Sequence, residues 1–284
     1  MRDRNQSKTN YQPTPQPENT YTPPKDIVHL PSGGEFYPEG HGLHGKGSVE
    51  VYFMTTKEED ILVNSAYNRE GVVFDKMIES ILVDKSLDPT SFIIGDRNAI
   101  LINARKNAYG LEYGVRVSCE ECFSSNEIHI DLDKVGNKEV DYSNVEITAQ
   151  GTFLLHMPKS EAQVELRLLT GQDEQEMVAQ ANRRAKHNLP EEPISGKYVR
   201  MIKSVDGRED PIFIRSYISN MPIADSRLLR KTYLNVMSDV DFVYKMHGNW
   251  NLFEIYALPI SLRDHFAEKL ASHLKEIGVA NINK

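Results

Sequence analysis

The 284 residues carry 33 Lys and Arg against 41 Asp and Glu, a net charge of −8. That balance argues against a whole-surface electrostatic grip on nucleic acid. Two cysteines exclude a disulfide scaffold, no apolar run approaches the ~18 residues a membrane helix needs, and no signal-peptide core opens the chain, so it reads as a soluble cytosolic protein of one large or two modest domains.

Residues 1–25, MRDRNQSKTNYQPTPQPENTYTPPK, hold five prolines and almost no aliphatics. Such a stretch buries too little surface to offset its ordering entropy, which predicts a disordered arm. Ordered sequence is expected from Ile27. "IVHLP" (27–31) leads into a Gly-rich stretch, SGGEFYPEGHGLHGKG, whose His41 and His44 read as solvated loop histidines rather than metal ligands. Val49, Val51 and Phe53 then alternate with polar or amphipathic neighbours, the period-two pattern of a half-buried strand. Thr55-x-x-Glu58 follows as a helix-start box. The acidic cluster Glu58, Glu59, Asp60 is thereby explained as a solvated first turn, without catalysis.

Val72, Val73, Met77, Ile78, Ile81 and Leu82 make an apolar stripe at helical spacing that ends before Asp88-Pro89. Asp96 is the expected N-cap of the next helix, which carries Ala99, Ile100, Leu101, Ile102 and Ala104 and stops at Tyr109-Gly110. Val115–Val117 and Ile128–Leu132 read as two strands flanking a tip that holds Cys119 and Cys122.

From residue 154 the chain repeats itself. "IVHLP" returns as "LLHMP" (154–158), "VEVYFMTTKEED" as "VELRLLTGQDEQ" (164–175), and "IGDRNAILINAR" as "IADSRLLRKTY" (223–233), at offsets of 127, 115 and 129 residues and in the same order. Three ordered matches predict an internal duplication. Thr170-x-x-Asp173 is the second helix-start box, and Asp225 is expected to cap a helix bearing Leu228, Leu229, Tyr233, Leu234 and Val236. Met77, Met177 and Met237 read as core filler. Arg183, Arg184 and Lys186 form a basic run read as a solvated helix face, and "NLPEEPISGK" (188–197) as an inserted loop. A second hairpin, Phe242–Tyr244 and Leu252–Ile255, would carry His247 at its tip.

The predicted fold is α+β: a disordered arm (1–25), a first strand–helix–hairpin half (26–140), and a related second half (141–284). Cys119 and Cys122 sit where a zinc knuckle places its thiolates, but four ligands are needed and the second tip offers only His247. A redox pair would want a helix after the first cysteine, and a strand follows. The favoured reading is a degenerate zinc ribbon with no cofactor, a bound zinc at Cys119 and Cys122 being the alternative. No phosphate loop, dinucleotide fingerprint, H-E-x-x-H or nucleophile elbow occurs, so no enzyme is expected.

In combination, "LPSGGEFYPEG", "GSVEVYFMTTKEEDIL", "ESILVDKSLDPTSFIIGDRNAILINAR", the "YG" stop and the Cys-x-x-Cys hairpin resemble the baseplate hub assembly protein family of T-even-like, contractile-tailed bacteriophages. The likeness covers residues 27–135 and extends more weakly through "LPISLRDHF" (258–266). It implies a structural or assembly protein of the tail baseplate that helps build the central hub. Its partners would be other tail and hub proteins and a second copy of itself, with neither nucleic acid nor membrane among them. It would work in the host cytoplasm during assembly and in the virion tail. The competing class is a zinc-ribbon nucleic-acid-binding factor, which would need a basic face and an intact metal site.

Overall fold

The computed structural model describes residues 21–118, 125–133, 140, 142, 145–190, 192 and 194–237. The mixed α+β chain begins with β1 (Lys25–His29) and β2 (Ser48–Tyr52), an antiparallel pair joined by the Gly-rich loop. Helices α1 (Thr56–Leu62), α2 (Ser65–Glu70) and α3 (Val73–Ile81) follow, then a 3-10 turn (Pro89–Ser91) and the long α4 (Ile94–Tyr109). β3 (Glu112–Ser118) and β4 (Ser125–Asp131) pair with each other in a separate two-stranded sheet. β5 (Glu146–Ile147), β6 (Thr152–His156), β7 (Gln163–Arg167) and β8 (Ile202–Val205) form one antiparallel sheet in that order. α5 (Gly171–Lys186) and α6 (Ser195–Met201) lie between β7 and β8, and α7 (Pro211–Asn220) and α8 (Ile223–Val236) close the described chain.

The strand patterns behave as their alternation requires. Val49 and Val51 of β2 and Val164 and Leu166 of β7 face inward and are buried. Both threonine boxes form: Thr55 with Glu58 at the start of α1, and Thr170 with Asp173 at the start of α5. Asp88 and Asp210 each cap a helical segment that opens with proline, where the missing N–H costs nothing.

Two helix starts differ from expectation. The N-cap of α4 is Ile93 and that of α8 is Pro222, neither with a capping side chain. Asp96 and Asp225 instead sit three residues inside, fully buried, because their carboxylates serve loops rather than their own helix ends. Glu58 also departs from the expected solvated cluster. It is 4% exposed, since besides its box it accepts from Ser80 Oγ on α3.

One apolar core runs through the described chain, from Val28, Val51, Ile78 and Ile100 to Phe153, Leu166, Leu229 and Tyr233. Backbone joins its two ends. Ile94 N–H donates to Leu169 O and Gly171 N–H to Phe92 O, both at 3.0 Å. Across the same junction the rings of Phe36 and Phe153 meet edge to face, 6.4 Å apart at 83°. The second hairpin, the residues around His247 and the stretch 258–266 lie outside the described residues, as does almost all of the arm.

Candidate functional site

Cys119 and Cys122 also lie outside the described residues. What is described is the root of their hairpin. Leu132 N–H donates to Leu111 O at 2.8 Å, Lys106 pairs with Asp133 at 3.0 Å, and Arg105 lies over the rings of Tyr109 and Tyr113. The C-terminal turn of α4 thus holds the base of β3 and β4. Among the described residues no three His, Cys, Asp or Glu side chains come together in a way that could hold a metal ion.

The polar groups that the fold does gather belong to the most distinctive sequence segments. The stretch LPSGGEFYPEG meets GDRNAI at Asp96. Ser32 donates to that carboxylate from its backbone N–H at 3.0 Å and from its hydroxyl at 2.6 Å, and Tyr37 donates at 2.7 Å. The Tyr37 hydroxyl in turn accepts Ile93 N–H at 3.0 Å. Burial and the Asp96 charge push the Tyr37 phenol far above its ordinary range, so it stays protonated and keeps its hydrogen for Asp96. Gly34 makes the loop possible: its φ is +82°, and a Cβ there would come within 2.4 Å of Lys46 N.

The loop is pinned again at His41. Its ring stacks on Tyr37 at 4.5 Å, Leu43 N–H donates to Nδ1 at 3.1 Å, and Nε2 lies 2.9 Å from Ser91 Oγ. An accepting Nδ1 assigns the proton to Nε2, which donates to Ser91 Oγ, and the Ser91 hydroxyl in turn donates to Asp88 O at 2.6 Å. Burial lowers the His41 pKa, against a smaller opposing pull from Asp88. His44 Nδ1 lies 2.6 Å from Tyr37 O. His41 is half-buried and holds the loop in shape, a departure from the solvated reading, whereas His44 is exposed as expected.

Next to Asp96, Arg97 is 6% exposed inside a helix. It pairs with Asp75 of α3 and, at 2.8 Å, with Glu174 of α5, while Gln175 donates to Asp75. Gly171 leaves the space this requires, since a Cβ there would stand 2.7 Å from Arg97 Cζ. Asp225 does for the loop after β6 what Asp96 does for the loop after β1, accepting from Lys159 N–H at 2.9 Å and Ser160 N–H at 2.8 Å. Tyr233 Oη accepts Leu169 N–H at 3.0 Å, as Tyr37 accepts Ile93. Chemically the arrangement is a set of hydrogen bonds and ion pairs that locks loops and helices together, with the buried Nε of Arg97 left without a hydrogen-bond partner. Local sequence does not reveal this role of Asp96, because its donors lie 64 and 59 residues away. The signal was the recurrence of an Asp at the same place in GDR and ADS.

A family model described as T4 bacteriophage base plate protein matches residues 24–205. The chain belongs to that family. The match takes in both threonine boxes, the Asp96 junction and the hairpin root, and it stops before the stretch 258–266. No curated protein and no solved structure matches the chain. This is therefore a phage baseplate protein, and its expected surroundings are other tail proteins. The zinc-ribbon nucleic-acid reading gains no support from the comparison. No helix among the described residues is long and apolar enough to cross a membrane. Arg184 of the basic run is engaged locally, with Pro190 O and Glu192.

Proposed function

We propose that the protein is a structural component that builds the central hub of the tail baseplate through protein–protein contacts. The observation that carries this is the family match over residues 24–205. A described structure whose buried polar groups are spent on rigidity agrees with it, since a component of a contractile machine must transmit load without yielding. Quantitative mass spectrometry of purified virions and of hub intermediates tests the proposal. The chain should appear in a fixed ratio to the other hub proteins, and its absence from both preparations would refute the role.

The hub component is built from two related halves, residues 26–140 and 141–284, that share one core. Support comes from matched pairs. β1–β2 and β6–β7 each run into a threonine box, Asp96 and Asp225 each clamp the loop after the first strand of their pair, and Tyr37 and Tyr233 each accept a backbone N–H. Val51 bridges Leu82 as Leu166 pairs with Ile202, so a third strand position recurs too.

The Cys119–Cys122 pair is a degenerate zinc ribbon whose loss leaves the protein folded. A Cys119→Ser/Cys122→Ser variant should lose about 1 kcal/mol or less in thermal unfolding, the scale of exposed positions. A structural zinc would put on the order of 10 kcal/mol at stake. A large loss, reproduced in the wild type by chelator, would therefore overturn this reading.

A further inference from the structure

The two sheets treat the same edge differently. In the β6 sheet, the outward-facing backbone of Thr152 and Leu154 is covered by β5. Thr148 N–H donates to Thr152 O at 2.8 Å, and Glu146 stands opposite Leu154. The corresponding edge of β1 has no such strand among the described residues, where β1 pairs with β2 alone. Phe53 N–H donates to Pro24 O and Leu30 N–H to Gly47 O, both at 2.9 Å. With the register of the pair, these bonds turn Asp26 and Val28 toward β2. Lys25, Ile27 and His29 therefore direct their N–H and C=O groups outward.

Three observations mark this edge as prepared for an occupant. Ile27, at the position of Leu154, is 57% exposed. Its N–H is held by the Asp26 carboxylate at 2.8 Å, a temporary partner for a donor that a strand carbonyl would otherwise take. The other Asp26 oxygen accepts from Asn103 and Asn107 of α4 at 2.9 Å each, which keeps the placeholder aimed. An exposed edge with an apolar residue is otherwise a hazard that proteins cover or blunt.

We propose that the outer edge of β1 receives an antiparallel strand from another tail protein. That strand carries an apolar residue beside Ile27 and carboxylates two positions to either side, facing Lys25 and His29. β5 shows within the same chain that a strand fits the equivalent edge, with Glu146 opposite Leu154 and Ile147 opposite Phe153. The chain's own preceding residues cannot copy the tight Thr148–Thr152 turn, because Pro23 and Pro24 stand there and supply no donors. A second copy pairing about Ile27 would set Lys25 across from His29 and bring no carboxylate to face either.

The occupant rests on the hub reading, so the experiment separates the two. A photo-crosslinking amino acid is placed at position 27, baseplates are isolated, and both the protein content and the crosslinked peptides are sequenced. An adduct with a segment of another tail protein is expected. In parallel, Ile27→Pro should lower incorporation into baseplates at least tenfold with an unchanged thermal midpoint, since the lost N–H faces away from β2. Ile27→Thr should lower it less than twofold. Baseplates that contain the chain but give no adduct, or only adducts with its own sequence, overturn the edge proposal alone. Normal incorporation of Ile27→Pro does the same. Baseplates that lack the chain overturn the hub reading and the occupant with it.

Discussion

Asp96 is a charge held at zero exposure, and the reason is hydrogen-bond supply. Three donors converge on it from Ser32 and Tyr37, enough to replace the water it lost. Asp96→Ala strands all three in the core. Denaturant titration should show a loss of about 3 kcal/mol or more, against about 1–2 for Tyr37→Phe, on the scale of bonds to charged groups. His41 makes a different prediction. Its folded pKa lies below the ordinary value of about 6.5 because burial disfavours the cation and Leu43 N–H already occupies Nδ1. A base with a depressed folded pKa binds fewer protons folded than unfolded. Its contribution is therefore fully present above about pH 6.5 and is lost as pH falls through that value toward the folded pKa. Stability measured between pH 7.5 and 5 should fall less steeply in His41→Gln than in the wild type.

At the scale of elements, the contact between α4 and α5 depends on a missing methyl group. Gly171 opens α5 within van der Waals reach of the Arg97 guanidinium, which is committed to Asp75 and Glu174. Gly171→Ala places a Cβ where that guanidinium sits. It should cost about 2–3 kcal/mol, the scale of overpacking, despite the better helix propensity of alanine. Gly196→Ala in α6 is the control, because the nearest atom to its new Cβ is 4.0 Å away. That variant should be neutral or slightly stabilised in thermal melts. Equal losses at the two glycines would mean that Arg97 is not the cause.

For the whole molecule, the described residues on either side of position 140 do not form two independent bodies. Phe36 packs on Phe153, Ile93 bridges Thr170, and one apolar cluster spans residues from Val28 to Val236. Dividing the chain would expose these surfaces in both pieces and part Arg97 from Glu174 and Asp75 from Gln175, while the Arg97–Asp75 pair stayed within the first piece. Residues 21–140 and 141–284 produced separately should each lack a cooperative melting transition by circular dichroism, while the full chain melts in one. A cooperative transition in either fragment would show that its core suffices alone.

Read without a structure, the chain already specifies its strands at 49–53 and 164–168, its two threonine boxes, its apolar helix stripes and its kinship with a baseplate family. Each of these depends on residues within a few positions of one another, where periodicity and capping chemistry act directly. Asp96 and Asp225 show where that reach ends. An aspartate near a helix start suits an N-cap or the third helical position equally well, and only donors arriving from Ser32, Tyr37, Lys159 and Ser160 choose between them. Glu58 looked solvated because Ser80, its third partner, sits on another helix. The edge of β1 was equally hidden, since alternation tells which side chains face the core but not which neighbour a strand lacks. Local chemistry chose the elements. Long-range packing determined which polar groups are buried and which edge is unpaired among the described residues, because those properties belong to pairs of segments that only the folded chain brings together.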